Sequence, residues 1–232
     1  VINWLPGFDQ AGDRVVTVAV TDALGASDTF SFTIAVANVN QRPIASDLVV
    51  QADEDTATTV TLVGSDNDGD AITYSVINQP ANGLLSGAVP NLIYTPNANF
   101  NAVDSFTYQV NDGVENSVAG IVTLTVNAVN DIPVVQPISV VMFADSSEAI
   151  TLLGSDIDGD TLTFAISAQP TNGGVVINNN IATYTPAIGY VGSDSFTYAA
   201  NDGVTDSVLG TVNIIVSAQN AAPVISSAPN LF

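Results

Sequence analysis

Alternation of apolar and polar residues is the dominant pattern along this chain. The clearest case is the segment 104–110, DSFTYQV, in which Phe, Tyr and Val alternate with Ser, Thr and Gln. A period of two residues is typical of a strand with one buried face, and no stretch of eleven residues shows the helical period. Segments of similar, β-branched character also predict strands: 58–64 TTVTLVG, 71–77 AITYSVI, 91–95 NLIYT and 121–127 IVTLTVN.

Turn residues separate these segments. Asn82-Gly83 and Asn172-Gly173 predict tight hairpins, because Asn and Gly tolerate the positive φ that such turns require. Asp112-Gly113 predicts another turn, and Pro96 ends a strand because it has no N–H to donate. About seven short strands in each ninety residues predict an all-β chain of seven-stranded immunoglobulin or cadherin-like β-sandwiches.

The pattern repeats after ninety residues. GSDNDGD at 64–70 returns as GSDIDGD at 154–160, and DSFTY at Asp104 returns at Asp194. Residues 44–133 and 134–223 agree at about 35 of 90 positions. Self-similarity at a fixed period is the signature of a repeat array, so the chain is predicted to hold two complete repeats in a line, 44–133 and 134–223.

Both ends continue the same frame. Residues 1–43 fit the C-terminal part of a truncated repeat, because Asp22 aligns with Asp112 and Pro43 with Pro133. Residues 224–232 fit the first strand of a further repeat. Since a sandwich needs both halves, we expect that the parent polypeptide extends further in both directions or that neighbouring chains complete each other.

Composition narrows the class of partner. The chain of 232 residues has 47% apolar residues, enough for packed cores, and its N-terminus has no signal-peptide pattern. No apolar run is long enough to cross a bilayer, so no membrane insertion is expected. With 23 acidic and 2 basic residues the net charge is -21, which argues against binding to nucleic acid and favours cations as partners.

Three absent residue types narrow the chemistry. Cys, His and Lys do not occur in the sequence, so there is no disulfide, no imidazole base and no amine to activate a serine. Paired aspartates in an exposed turn lack the differentiated environments that glycoside hydrolysis needs. No catalytic residue is therefore predicted, and the cross-link that remains available is an oxygen-ligated hard cation.

The GSDxDGD motif is the candidate cation site. Unit charges 4 Å apart repel by about 4 kcal/mol at an effective dielectric of 20, and calcium would reverse that sign. Aspartates are also common in turns for local hydrogen bonding, but the exact recurrence of the motif favours a metal. It is not an EF-hand, because Ala71 and Ile77 stand where that loop needs Gly and Glu. The motif carboxylates are Asp66, Asp68 and Asp70, then Asp156, Asp158 and Asp160.

The chain resembles cadherin repeats, and more closely the bacterial cadherin-like repeats of very large secreted adhesins. Three segments carry the resemblance: ADEDTATTVTLVGSDNDGDAITY, YTPNANFNAVDSFTYQVNDG and VNAVNDIP. In cadherins, calcium lies between successive domains and is ligated from both sides and by the linker. Besides the paired aspartates of the motif, the resemblance assigns calcium ligands to Asn40, Glu54, Asp112, Asn130, Asp131 and Asp202.

The sequence also departs from the cadherin pattern. Gln41 and Ala221 stand where Asp131 stands, and the linker is one residue shorter than in cadherins. The expectation is therefore one or two calcium ions per junction, with the junction between the two complete repeats as the best candidate.

The leading functional hypothesis is an extracellular structural stalk of an adhesin or surface fibre on the cell surface, stiffened by calcium between repeats. One rival is a carbohydrate- or protein-binding module in which Trp4 and the tyrosines stack on polysaccharide, although these aromatic residues are expected in the core. The other rival is a fibre subunit that a neighbouring chain completes by strand exchange.

Overall fold

The computed structural model describes residues 3–7 and 10–219, and these residues form strands, turns and loops without an α-helix. The all-β prediction is therefore confirmed. The chain divides into two compact units, Val1–Val129 and Asn130–Phe232. The predicted first strand of a further repeat, 224–232, lies outside the described residues.

Among the described residues, eleven strands lie in the first unit and nine in the second. Those of the first unit are β1 Gly12–Thr21, β2 Ser27–Val36, β3 Ile44–Ala45, β4 Leu48–Asp53, β5 Thr58–Thr61, β6 Gly64–Ser65, β7 Thr73–Asn78, β8 Gly83–Ala88, β9 Asn91–Pro96, β10 Val103–Asn111 and β11 Gly120–Asn127. Those of the second are β12 Val134–Val135, β13 Ile138–Phe143, β14 Glu148–Thr151, β15 Gly154–Ser155, β16 Thr163–Ala168, β17 Gly173–Asn178, β18 Ile181–Pro186, β19 Gly192–Asn201 and β20 Gly210–Ser217.

Each unit contains one β-sandwich with the same topology. In the first unit the four-stranded sheet has the order β4-β11-β10-β7 and the three-stranded sheet the order β5-β9-β8. The second unit repeats this arrangement as β13-β20-β19-β16 and β14-β18-β17. In each four-stranded sheet the first strand along the chain pairs in parallel with the last, β4 with β11 and β13 with β20. The two main sheets of each sandwich hold the predicted seven strands, and β3-β6 and β12-β15 are additional two-residue pairs.

The alternation of residues 104–110 positions the core. Phe106, Tyr108 and Val110 are all buried, whereas Ser105 on the opposite face of β10 is exposed. The Tyr108 hydroxyl lies 2.6 Å from the carbonyl oxygens of both Ser46 and Val63. The buried face therefore packs the core and also anchors the segments that precede β4 and β6.

The predicted strand 58–64 is divided in the structure. Its first part is β5, and Gly64 begins the separate strand β6, which pairs with β3. Between the two strands the N–H of Leu62 donates to the carbonyl of Pro90, and the N–H of Ser46 donates to the carbonyl of Val63. These bonds satisfy the backbone while the chain crosses from one sheet to the other.

The predicted hairpins at Asn82-Gly83 and Asn172-Gly173 are wrong. Gly83 and Gly173 begin β8 and β17, and neither has a positive φ. Glycine is needed for space, because a Cβ on Gly83 would lie 2.3 Å from the ring of Tyr94. The Asp112-Gly113 turn is confirmed, with φ of 95° at Gly113.

A buried carboxylate stabilises each sandwich where a core strand meets a loop. In the first unit, Oδ1 of Asp104 accepts hydrogen bonds from the N–H groups of Ala81 and Ser105, at 3.0 and 2.8 Å. Its Oδ2 accepts from the Asn82 N–H at 2.8 Å and the Tyr94 hydroxyl at 3.0 Å. The second unit repeats all four bonds with the residues Asp194, Thr171, Ser195, Asn172 and Tyr184.

These contacts shift the ionisation of both partners in the first unit. Burial would raise the pKa of Asp104, but hydrogen bonds from Asn82, Ser105, Ala81 and Tyr94 outweigh it and lower the pKa. Burial, and then the bond to Asp104, raises the pKa of Tyr94. The pair is thus a carboxylate held by neutral donors.

The β1–β2 hairpin occupies the position of β10–β11 in the repeat frame, but the described residues include no counterpart of the second sheet of a sandwich. Among the described residues, β1 and β2 pair only with each other. Phe32 is 40% exposed, whereas Val122 at the equivalent position is fully buried. Trp4, expected in the core, is 42% exposed and lies outside the strands.

We expect Ala168→Asn to stabilise the second unit by about 1 kcal/mol. The buried Oγ1 of Thr197 has no hydrogen-bond partner, whereas the equivalent Thr107 accepts a 2.8 Å bond from Asn78 Nδ2. Ala168 occupies the position of Asn78 and pairs with Thr197 in register. Thermal denaturation of the variant measures the gain, and Asn78→Ala should show a matching loss. A lower melting temperature for Ala168→Asn would contradict this account.

Candidate metal centre

The two aspartate loops have the same local geometry. In the first, Gly69 has φ of 81° and lets the chain turn back, so that Oδ1 of Asp66 accepts from the N–H groups of Asp68 and Asp70 at 2.8 and 3.2 Å. In the second, Oδ1 of Asp156 accepts the equivalent two bonds at 3.0 and 3.3 Å. One oxygen of each leading aspartate therefore serves the turn.

The carboxylate oxygens that the turn does not use are the evidence for a cation site. In each triplet, one carboxylate oxygen per residue lies within 4.8 Å of the others. Oδ2 of Asp66, Oδ1 of Asp68 and Oδ2 of Asp156 are buried and accept no hydrogen bond. A buried carboxylate oxygen without a donor is costly, and several close together repel. A hard cation would relieve both costs, so the donor set fits calcium.

The segment before β3 donates one hydrogen bond to the Asp112 turn after β10 and another to the first aspartate loop. The Asn40 amide donates to Oδ2 of Asp112 at 2.9 Å. The backbone N–H of Gln41 donates to Oδ2 of Asp68 at 2.5 Å. We call Asn40, Gln41, Asp66, Asp68, Asp70 and Asp112 the first cluster.

The second unit makes the equivalent contacts before β12. The Asn130 amide donates to Oδ2 of Asp202 at 2.9 Å, and the N–H of Asp131 donates to Oδ2 of Asp158 at 2.8 Å. The hydroxyl of Thr205 adds a 3.1 Å bond to Oδ2 of Asp202. We call Asn130, Asp131, Asp156, Asp158, Asp160 and Asp202 the second cluster.

Asp112 and Asp202, the aspartates that directly follow β10 and β19, each accept hydrogen bonds on both carboxylate oxygens. Oδ1 of Asp112 accepts from the N–H groups of Val114 and Glu115, each at 2.7 Å, while Oδ2 receives the Asn40 amide. That amide, followed by backbone donors, lowers the pKa of Asp112. Such a carboxylate is charged at neutral pH and fixes the orientation of the Asn40 amide.

Asp202 is held in the same way in the second unit. Its Oδ1 accepts from the N–H groups of Val204 and Thr205, each at 2.6 Å. The Thr205 backbone donor and then the Asn130 amide lower the pKa of Asp202. Asp202 therefore orients Asn130 as Asp112 orients Asn40.

Glu54 lies apart from the first cluster, at the end of the sandwich where β4 and β11 finish. It is 1% exposed, and its Oε1 accepts from the N–H of Val129 at 2.7 Å. Asn101 Nδ2 lies 3.4 Å from the same oxygen, and Oε2 is buried without a hydrogen-bond partner. The position equivalent to Glu54 in the next repeat is Ala144.

The structure thus brings eleven of the predicted site residues into two clusters and places Glu54 beside the segment that leads into the second. Sequence reasoning treated Gln41 as a departure, but its backbone N–H makes the contact that Asp131 makes. It also missed Thr205, and it overlooked Asp104, although strict alternation places Asp104 on the face of Phe106. A carboxylate on an apolar face is the signal that would have identified it.

Comparison with known proteins agrees with the tandem sandwiches. The sequence model of the bacterial Ig domain family matches residues 40–125 and 130–215. Integrin beta-like protein B of Dictyostelium discoideum is 27% identical over 143 residues, which is 54% of this chain and 7% of that protein. The chain therefore spans only a small part of this curated relative.

Two solved cadherin ectodomains have a similar fold. A protocadherin gammaB7 EC3-6 cis-dimer structure gives a TM-score of 0.55 at 15% identity, over 93% of this chain and 61% of that one. The extracellular cadherin domains 1-5 of protocadherin gamma B2 give a TM-score of 0.51 at 17% identity, over 92% of this chain and 47% of that one.

Among the described residues, no helix is long and apolar enough to cross a membrane.

Proposed function

The chain belongs to the bacterial Ig domain family, and on that premise we propose that it forms part of an extracellular stalk whose tandem repeats bind calcium at their linkers and support adhesion at a cell surface. The observation that carries the proposal is the pair of clusters, each with at least one buried carboxylate oxygen that accepts no hydrogen bond.

Calcium suits these clusters better than magnesium or a transition metal. The side chains offer carboxylate and amide oxygens, and the chain has no Cys or His. Calcium accepts six to eight oxygens in a flexible geometry, whereas magnesium demands a strict octahedron and keeps its water. In the first cluster Asp66 and Asp68 would hold the ion, and in the second Asp131, Asp156 and Asp158 would hold it.

The attachment of linker residues to each cluster suggests how calcium would act on the array. Asn130 and Asp131 are bonded to Asp202 and Asp158, so an ion at the second cluster would tighten the linker onto the repeat that follows it. Glu54 accepts from Val129, the residue directly before Asn130. The other carboxylate oxygen of Glu54, Oε2, lacks a partner, so Glu54 has an oxygen to offer a cation at its own end of the first sandwich.

Removing calcium is expected to lower the melting temperature and to shorten the mean length of the chain in solution. At a calcium concentration of a hundred times Kd, each occupied site stabilises the folded state by about 2.7 kcal/mol. Differential scanning calorimetry and small-angle X-ray scattering of the 232-residue chain, with calcium and with chelator, measure the two effects.

Three variants make the test specific. Asp156→Asn should abolish the calcium response of the second unit, and Asp66→Asn should abolish that of the first. Glu148→Gln, an exposed carboxylate on β14, should leave both responses unchanged and is the matched control. The same melting temperature and scattering profile with calcium and with chelator would disprove the stalk proposal in its calcium-dependent form.

A further inference from the structure

We infer that the two clusters have different calcium affinities and that the second cluster fills first as calcium rises. The inference rests on the proposed function, because it assumes that both clusters bind calcium. It concerns one substitution between otherwise equivalent positions, Gln41 in the first cluster and Asp131 in the second.

The backbone places these two residues in the same way. The N–H of Gln41 donates to Asp68, and the N–H of Asp131 donates to Asp158, the equivalent carboxylate. Each residue therefore lies against its aspartate loop. The residue before it, Asn40 or Asn130, donates to Asp112 or Asp202. The contacts are equivalent, but one side chain is neutral and the other is a carboxylate.

The surrounding charges do not cancel this difference. The first cluster has the four carboxylates Asp66, Asp68, Asp70 and Asp112, whereas the second has five. Arg42 follows Gln41, but its guanidinium lies 3.3 Å from the carboxylate of Glu115, so that pair adds no net charge. The equivalent positions in the second unit, Ile132 and Thr205, are neutral. The second cluster thus has one more negative charge.

The extra carboxylate is expected to raise affinity. Calcium sites built from similar loops differ in affinity through the number of charged ligands and the rigidity of the loop. We expect about a tenfold tighter Kd for the second cluster, equivalent to about 1.4 kcal/mol. Between the two Kd values only the second cluster would be occupied, so the array would respond to calcium in two steps.

Reciprocal variants test the inference in the complete chain. Isothermal titration calorimetry with calcium alone, after removal of bound metal by chelator, should resolve two steps that differ by about tenfold. Asp156→Asn should remove the tighter step and Asp66→Asn the weaker one. Asp131→Asn should bring the tighter step close to the weaker, and Gln41→Asp should bring the weaker step close to the tighter.

The controls separate folding from binding and this inference from the proposed function. Asp131→Asn keeps the backbone N–H that donates to Asp158, so the far-ultraviolet circular dichroism of the variant in chelator should match that of the wild type. Two equal steps, or steps that neither reciprocal variant moves, would overturn the inference alone. Absence of any heat at millimolar calcium would overturn the proposed calcium binding as well.

Discussion

The variant Asp104→Asn should unfold the first sandwich at a melting temperature more than about 10 °C below that of the wild type. Asp104 is buried and accepts from three backbone N–H groups and the Tyr94 hydroxyl. An asparagine amide would turn an NH2 group toward some of these donors and leave them unsatisfied. Breaking a buried network of this kind costs about 3 kcal/mol, and each kcal/mol shifts the melting temperature of a small domain by about 4–8 °C.

Calorimetry of the complete chain measures this effect, and Asp47→Asn is the matched control. Asp47 is exposed and its Oδ1 accepts a single 2.8 Å bond from the Ile121 N–H, so its replacement should cost less than about 1 kcal/mol. Equal losses of stability for the two variants would contradict the prediction, because burial and multiple donors would then not make Asp104 more important than Asp47.

The same network sets a dependence of stability on pH. The pKa of Asp104 is lowered in the folded state. Its contribution is therefore complete above the unfolded pKa of about 3.9 and is lost as the pH falls through the lower folded pKa. Below about pH 4 the wild type should lose stability toward the level of Asp104→Asn, and the difference between the two should shrink.

Two substitutions at equivalent positions should lower stability by different amounts, a large amount for Leu124→Ala and a small one for Ile34→Ala. Leu124 on β11 is fully buried, so its truncation should destabilise the first sandwich by about 3–5 kcal/mol. Ile34 occupies the same frame position on β2, which pairs only with β1 among the described residues, and its side chain is only partly buried. Its truncation should cost about 1–2 kcal/mol, because partly buried carbons are lost without leaving a closed cavity.

Calorimetry and sedimentation velocity over a range of concentrations check this pair. If a strand from a second copy covers the hairpin, as in the strand-exchanged fibre, Ile34→Ala would destabilise the chain by more than the expected amount and wild type would sediment as an oligomer. That result would contradict the expectation and favour the fibre over the stalk. A monomeric wild type, together with only a small loss of stability in Ile34→Ala, would agree with the stalk proposal.

Sequence pattern alone was sufficient for the repeat and for most strands. Alternation located β10 and the core face of Phe106, Tyr108 and Val110, because a strand with one buried face must alternate. The period of ninety residues then predicted a second copy of the same sandwich, and β12 to β20 follow β3 to β11 in order and pairing.

Tertiary packing decided several details that a local pattern cannot specify. Gly83 appeared to be a turn residue, but the ring of Tyr94, eleven positions later in the chain, is the reason that no Cβ fits there. The segment 58–64 looked continuous, yet it divides where Leu62 and Val63 bond to distant backbone groups. Such outcomes depend on which segments meet in space.

The candidate site shows the same division. The sequence by itself determined that aspartates recur in a GSDxDGD loop, because residue identity and spacing within seven positions are local properties. Only the tertiary structure decided which oxygens remain without donors, and that Asn40 and Gln41 bond to Asp112 and Asp68. The physical reason is that carboxylate oxygens are allotted to backbone donors from several loops, and those loops meet only after the sandwich has formed.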